Sequence, residues 1–416
     1  MIHFDDEKSK AAIKAFTLSR DDIEMTAAAL RYDIGLALKN DERTSLNLLP
    51  SHVGLPSGNE QGDFLALDFG GSNLRAARVR LANGKATVVS KKDKPLGNLT
   101  GASTTASELF DFIAALVDDA AGHDHTTPMM LGHTFSFPSK PTDDGDAILQ
   151  YWTKEFAVKG VEGQKVNALL ASSLEKIGAS NIKPVAIIND TVATLLASAY
   201  TVGDTFMSSI YSTGFNVSYL ERFGGKERAD ILDMNAGGFT KVITNYYDQH
   251  LEDETDRADE QKLEKMVSGR YIGELMRLAL ADITRRDDLP NMTSSDVAAI
   301  YDGNDAGKKI LTDILGDDTD EASQDAAMHL AEAVLRRSAA LAAAIFCGTL
   351  WHQDANIPQH IAVDGSLYKK VPLIQNTVHD TMTELLKDEP LNMRPDIVTI
   401  DDASLIGAAI AATMKK

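Results

Sequence analysis

The chain has 416 residues, 44% hydrophobic and 25% charged, with a formal net charge of −20. That length leaves room for two substantial domains, and the balance is that of a soluble globular protein. An acidic surface repels phosphate polyanions and so excludes a nucleic-acid partner, while Mg2+ and backbone N–H groups can still hold a nucleotide locally.

The N-terminal stretch MIHFDDEKSKAAIKAF is charged within its first residues and lacks the apolar h-region of a signal peptide. Residues 8–40 carry apolar positions at Ile13, Phe16, Leu18, Ile23, Met25, Leu30, Ile34, Leu36 and Leu38, among which spacings of three and four recur, an imperfect helical pattern. Ser19, ahead of Asp21 and Asp22, is an N-cap that divides the pattern into two helices. A loop rich in Pro and Gly follows from Asn40 to Gln61. Then comes FLALDFGGSNLRAARVRL, Phe64 to Leu81, an apolar run, a Gly70-Gly71 turn and an alternating run, which reads as a β-hairpin. It continues through Asn83-Gly84 into a third strand, Ala86–Ser90. The hairpin has two readings: a phosphate clamp in which glycine N–H groups meet an anion and Asp68 holds Mg2+ through water, or an ordinary turn with an exposed Asp.

Farther along, residues 104–121 read as an amphipathic helix, and MMLGHTFSF, Met129–Phe137, as a buried strand. His123 and His125 are read as surface histidines. A helix around Gly163–Ile177 precedes Val185–Ile188, an all-aliphatic strand of the kind found at a sheet centre. That strand runs into Asn189-Asp190-Thr191 and a helix over Val192–Tyr200, so polar residues sit at the carboxyl end of a strand, where α/β sheets place their active sites. A second hairpin, Ser208 to Arg222, turns at Ser212-Thr213-Gly214. Residues 240–350 are mostly helical, with an acidic run at 251–260 read as a solvated surface or loop. The single cysteine, Cys347, lies in an Ala-rich run as a buried thiol, excludes an intrachain disulfide and points to a reducing compartment. No apolar run approaches the ~20 residues of a bilayer span, so no membrane partner is expected and the expected location is cytoplasmic. A strand–turn at Ile361–Ser366, a strand at Asp396–Ile400 and a helix at Ile406–Met414 complete the chain. Neither a GxxxxGK[ST] nor a GxGxxG motif is present. Glycine turns after strands at 70–71, 214 and 365 instead suggest two related lobes offering phosphate contacts from facing sides of a cleft.

These segments resemble the hexokinase family of the eukaryotic type, which includes glucokinase, along nearly the whole chain. NLLPSHVGLPSGNEQGDFLALDFGGSNLRAARV resembles the family's first phosphate segment, with Ser72 in the place of a threonine. LGHTFSFPS, YWTKEF, IINDTVATLLASAY, LEKMVSGRYIGELMRL and VDGSLYKKVP resemble five further family segments, in register and in order. The resemblance implies an α/β, two-lobed actin-like and hexokinase-like (ribonuclease H-like) fold, each lobe a mixed β-sheet with helices. It implies a sugar in the interdomain cleft and MgATP as phosphoryl donor. The small lobe is expected to span 62–194 plus 401–416, and the large lobe 1–61 plus 195–400. The implied activity is ATP-dependent phosphorylation of a hexose, glucose foremost, at its 6-hydroxyl, the first step of glycolysis, by a monomer or homodimer.

A sugar hydroxyl is a poor nucleophile, so a carboxylate has to take its proton as the γ-phosphoryl transfers in line. Asp190, at its strand end, is the candidate on this ground and by the resemblance, and Lys154 would balance charge on the transferring phosphoryl. Ser136, Thr153, Lys154, Asn189, Asp190, Asn216 and Glu264 match the family's sugar side, and Asn235 occupies a further position of it. Asp68, Gly70, Gly71, Ser72, Asn73, Arg75, Thr213, Gly214, Gly365 and Ser366 match the nucleotide side, with Asp68 reaching Mg2+ through water. Read without the family, Asp190 is an N-cap of the following helix and Glu264 a surface charge.

The sequence also departs from the pattern. Asn235 stands where a sugar-binding carboxylate is expected, which predicts altered or weaker sugar binding. Ser212, Phe215, Leu335, Ala403 and Leu405 differ from the residues expected around the nucleotide and leave the phosphoryl donor open. A second reading is therefore a catalytically weak, sugar-binding regulatory protein of the same fold. An actin-like ATPase without a sugar is disfavoured by the polar set SFP, WTK, ND and EKM.

Overall fold

Turn chemistry and alternation set the strands. In a computed structural model, which describes residues 4–71, 73–153, 156–223, 228–255, 258–316, 319–353, 359–390 and 393–414, they run in chain order as follows. A short β1 (Leu49–Pro50) precedes a meander of β2 (Gly62–Phe69), β3 (Asn73–Ala82) and β4 (Lys85–Pro95). Then come β5 (Met129–Phe135), a small hairpin of β6 (Ser139–Pro141) and β7 (Ala147–Leu149), and β8 (Ile182–Ile188). The second half holds β9 (Thr205–Tyr211), β10 (Phe215–Phe223), β11 (Arg228–Asp233), β12 (His360–Asp364) and β13 (Asp396–Val398).

Two mixed sheets result. One has the order β4-β3-β2-β5-β8 and the other β1-β11-β10-β9-β12-β13. Apart from the edge strand β1, each is an antiparallel meander followed by two parallel strands, in the same order. The hairpin turns at Gly70-Gly71 and Ser212–Gly214 thus occupy corresponding places, which is the two-lobed architecture expected from the resemblance.

Helices fill three layers around these sheets. Ala106–Ala121, closed by a Thr105–Glu108 capping box, and Val166–Lys176 bury Leu109, Phe110, Ile113, Leu170 and Leu174 against Leu65, Leu67 and Leu131 of the first sheet. Asp190–Thr201 and Ala403–Met414 lie on its other face and join one cluster with Ala66, Val79 and Ile188 from the first sheet and Leu220 and Ile231 from the second. The remaining helices pack on the second sheet around Glu321–Gln353, a 33-residue helix.

Several expectations change. The apolar window of Glu321–Gln353 is long and apolar enough to cross a membrane, contrary to the sequence reading, but 89% of it is buried within the protein as a core helix. Cys347 is buried there, and burial pushes its thiol up. β8 is an edge strand rather than a central one, which explains how it tolerates Pro184, a residue with no ladder donor. β5 ends at Phe135, two residues early, although Ser136 N still donates to the Phe69 carbonyl of β2 at 3.2 Å. Strands β6, β7 and β11 were not anticipated. In the acidic run, the helix Tyr246–Glu254 buries Leu251, and Glu252 pairs at 2.9 Å with the buried Lys265, so that part is packed rather than solvated. Asp256 and Arg257 lie outside the described residues. His123 and His125 both bond the Asp118 carboxylate, at 2.8 and 2.9 Å.

The closest approach in the fold is at Gly132 of β5, where an added Cβ would overlap the Ala408 carbonyl oxygen of the C-terminal helix. Overpacking of this kind costs about 1–3 kcal/mol. Gly132→Ala is therefore expected to lower the unfolding free energy by about 1–3 kcal/mol, read as a lower denaturant midpoint at unchanged slope, and an unchanged midpoint would contradict this packing.

Candidate active site

The carboxyl ends of β2, β5 and β8 face the β9–β10 turn and the end of β12 across a cleft of about 1930 Å³. Every expected site residue among the described ones lines this cleft. Ser72 and Lys154 lie outside the described residues.

On one wall, β8 ends at Ile188 and the chain turns into the helix Asp190–Thr201. Asn189, not Asp190, is its N-cap: Asn189 Oδ1 accepts from Thr191 N at 2.8 Å and from Thr191 Oγ1 at 2.6 Å. Asp190 therefore occupies the first helical position, where the helix N-terminus favours an anion. Its Oδ1 accepts from Thr191 N at 2.9 Å, and its Oδ2 from Ser136 Oγ at 2.8 Å. Ser136 reaches it from the position just after β5. Thr153 follows Trp152, whose ring packs against Phe137 and Phe156 with centroids at 4.9 and 5.2 Å and whose Nε1 donates to Val158 O at 2.9 Å. That aromatic stack braces the loop entering the cleft.

The β2–β3 hairpin supplies Asp68, Gly70, Gly71, Asn73 and Arg75 to the same wall. Asp68 and Arg75 are cross-strand partners and form an ion pair, and Thr134 Oγ1 donates to Asp68 Oδ1 at 3.0 Å. Directly opposite in the fold, Asp364 ends β12 as Asp68 nearly ends β2, with Lys369 at 2.7 Å. The two carboxylates present hard oxygen donors of the kind a hydrated Mg2+ takes. Asp364 was passed over in the sequence, although its place in the repeated strand–turn pattern was the available signal.

The facing turns are in contact with one another. Ser212 Oγ is 3.1 Å from Ser366 Oγ and accepts from Ser366 N at 3.2 Å, while Thr213 is exposed at the turn tip. Gly365 has φ +126° and lies against the Tyr211 backbone, a place closed to a side chain. The departures noted in sequence divide here. Phe215 is 2% exposed and packs on Tyr211 and Phe346 inside the core; Leu335, Ala403 and Leu405 are fully buried. Leu335, Ala403 and Leu405 do not line the cleft, whereas Ser212 and Phe215 do.

Below the turns lies a polar network. Asn216 Oδ1 accepts from Val217 N at 2.8 Å and Ala236 N at 2.9 Å, and its Nδ2 donates to Asp233 Oδ1 at 2.7 Å. Asn235 has a left-handed backbone (φ 50°, ψ 47°), and its N–H donates to Asp233 at 3.2 Å. Gln261 Nε2 is 3.5 Å from Asn235 Oδ1. Glu264 Oε2 accepts from Phe215 N at 3.0 Å, so it is a cleft residue rather than a surface charge. Burial pushes the Asp233 carboxyl up to about 6, opposed by its bonds from Asn216 and Asn235 and raised further by the Asp190 charge. Asp233 and Gln261 were missed in sequence.

Family models described as hexokinase match residues 8–200 and 206–414. The chain belongs to the hexokinase family. It is 30% identical to hexokinase-2 of Candida albicans over 98% of this chain and 92% of that one, and 30% identical to hexokinase-7 of Oryza sativa subsp. japonica over 94% and 93%. A solved structure of a hexokinase superposes with a TM-score of 0.86 at 28% identity, covering 98% of this chain and 99% of that one. The structure of the Schistosoma mansoni hexokinase complexed with glucose does so at 0.82 and 30%, over 98% of both chains. The chain is thus a phosphotransferase of the hexokinase class, and its chemistry is ATP-dependent hexose phosphorylation.

The approach of Glu264 to the β9–β10 turn is close: a Cβ on Gly214 would lie 3.0 Å from Glu264 Oε2. Gly214→Ala is expected to displace that carboxylate and raise the hexose KM about tenfold. Steady-state kinetics check this; an unchanged KM would mean that Glu264 does not face the sugar.

Proposed function

We propose that the chain transfers the γ-phosphoryl group of ATP to the 6-hydroxyl of a hexose, glucose foremost, as the first step of glycolysis. The observation that carries this reading is the Asp190 carboxylate, held by Ser136 and by a helix N-terminus beneath the glycine turns. The hexose lies among Ser136, Thr153, Lys154, Asn189, Asn216, Asn235 and Glu264, because each buried sugar hydroxyl needs a partner. Asp190 accepts the 6-hydroxyl proton as the new O–P bond forms and the β–γ bridge breaks, releasing ADP. Lys154 stabilises the transferring charge. Gly70, Gly71, Ser72, Asn73 and Arg75 hold the phosphates from one side, and Thr213, Gly214, Gly365 and Ser366 hold the nucleotide from the other. Mg2+, when bound, neutralises phosphate charge; Asp68 and Asp364 would hold it through water.

Asp190→Asn is the decisive variant. We expect kcat to fall about a thousandfold in an assay coupled to ADP release, with glucose affinity kept. Retention of more than a tenth of kcat would remove Asp190 as the base. The alternative, a weakly catalytic sugar-binding regulator, rests on Asn235 and Ser212, and tight glucose binding without turnover by the unmodified chain would favour it.

An open cleft lets water compete for the γ-phosphoryl, so the lobes, 62–194 plus 401–416 and 1–61 plus 195–400, close on the sugar. Small-angle scattering is expected to show a smaller radius of gyration at saturating glucose; no change would argue against closure.

A further inference from the structure

Asp233 carries more charge than its structural task requires. It ends β11, lines the cleft and is 9% exposed. Its Oδ1 takes both protein hydrogen bonds, from Asn216 Nδ2 and Asn235 N. An amide oxygen would accept the same two N–H groups without the desolvation cost of a carboxylate. The fold therefore bears a burial penalty, seen in the upward displacement of this carboxyl, for a charge that none of its protein partners needs.

The second oxygen indicates where that charge is used. Asp233 Oδ2 accepts no hydrogen bond from the described residues, yet it is not among the fully buried atoms left without a partner, so it keeps accessible surface at the cleft. The ladder places it beside the reacting group. Ser218 is the register partner of Asp233, and its hydroxyl lies 2.5 Å from Thr191 Oγ1, on the residue that follows Asp190. The neighbouring amides cannot take over its role. Asn216 has committed its oxygen to two backbone N–H groups, so it offers the cleft a donor only. Asn235 is turned to Gln261 and carries no charge.

We propose that Asp233 is a specificity-determining contact, its Oδ2 accepting a hydrogen bond from a ring hydroxyl of the hexose while its Oδ1 fixes the Asn216 amide. This rests on the reading of the cleft as a hexose site. Asn216 supplies a donor and Asp233 an acceptor side by side, the pair that a secondary hydroxyl, itself donor and acceptor, satisfies.

The test compares Asp233→Asn with the unmodified protein on glucose and on glucose lacking the hydroxyl at carbon 2, 3 or 4. A hydrogen bond to a charged group is worth about 1.5–3 kcal/mol, so Asp233→Asn is expected to raise the glucose KM about tenfold or more. The KM for ATP should be unchanged, and thermal unfolding should be no lower, since the buried charge is gone. For one deoxy sugar the penalty should shrink below about twofold, because the hydroxyl that Asp233 holds is then already missing. An equal glucose KM in both proteins overturns the proposal, as does the same penalty for glucose and all three deoxy sugars, which is the signature of a residue that only positions Asn216. If the unmodified protein turns over no hexose, the phosphotransfer reading fails separately. Calorimetric titration with glucose then decides Asp233 by itself: weaker binding by Asp233→Asn supports the contact, and equal binding, or none by either protein, overturns it.

Discussion

The site depends on one helix N-terminus being tied to both sheets. The helix Asp190–Thr201 grows directly out of β8 of the first sheet, yet its first turn is bonded to the second. Thr191 Oγ1 meets Ser218 Oγ at 2.5 Å, and Ser208 Oγ donates to the Thr191 carbonyl at 2.7 Å. Ser136, from the end of β5, completes the grip on Asp190. A carboxylate that is to react has to be held within fractions of an ångström, and Asp190 is held by bonds that reach its helix from two separate sheets.

The repeated sheet order accounts for the rest of the layout. Two meanders of like topology each carry a glycine turn, and both turns line the one cleft together with Asp68 and Asp364. One wall is basic at Arg75 and the other at Lys369, each paired with the carboxylate of its own lobe. Each wall of this strongly acidic chain thus places one cation, held by a carboxylate, at the phosphate end of the cleft. Toward the other end Asp190, Asp233 and Glu264 line the cleft, and burial, with the Asp190 charge adding to it, pushes the Asp233 carboxyl up.

Much of this was legible in the sequence, for identifiable reasons. Glycine turns and NDT at a strand end are local signals, and the resemblance supplied their partners. Strand phase adds what the motifs leave open: along β10, Phe215, Val217 and Tyr219 turn their side chains to the core and Asn216 is left to the cleft. The edge position of β8 and the existence of β11 depend on pairing between distant segments, which no local pattern encodes. Asp233 was missed with β11, since its meaning lies in the bond to Asn216, and Gln261 because its left-handed backbone is set by packing against the Asn235 turn.

Whether the Asp190 carboxylate faces the acceptor hydroxyl can be seen in a crystal structure of the protein with glucose and a non-hydrolysable ATP analogue. The 6-hydroxyl oxygen is expected about 3 Å from an Asp190 carboxylate oxygen and in line with the γ-phosphorus. A glucose bound elsewhere, or with its 6-hydroxyl turned away from Asp190 in the closed complex, would contradict this placement.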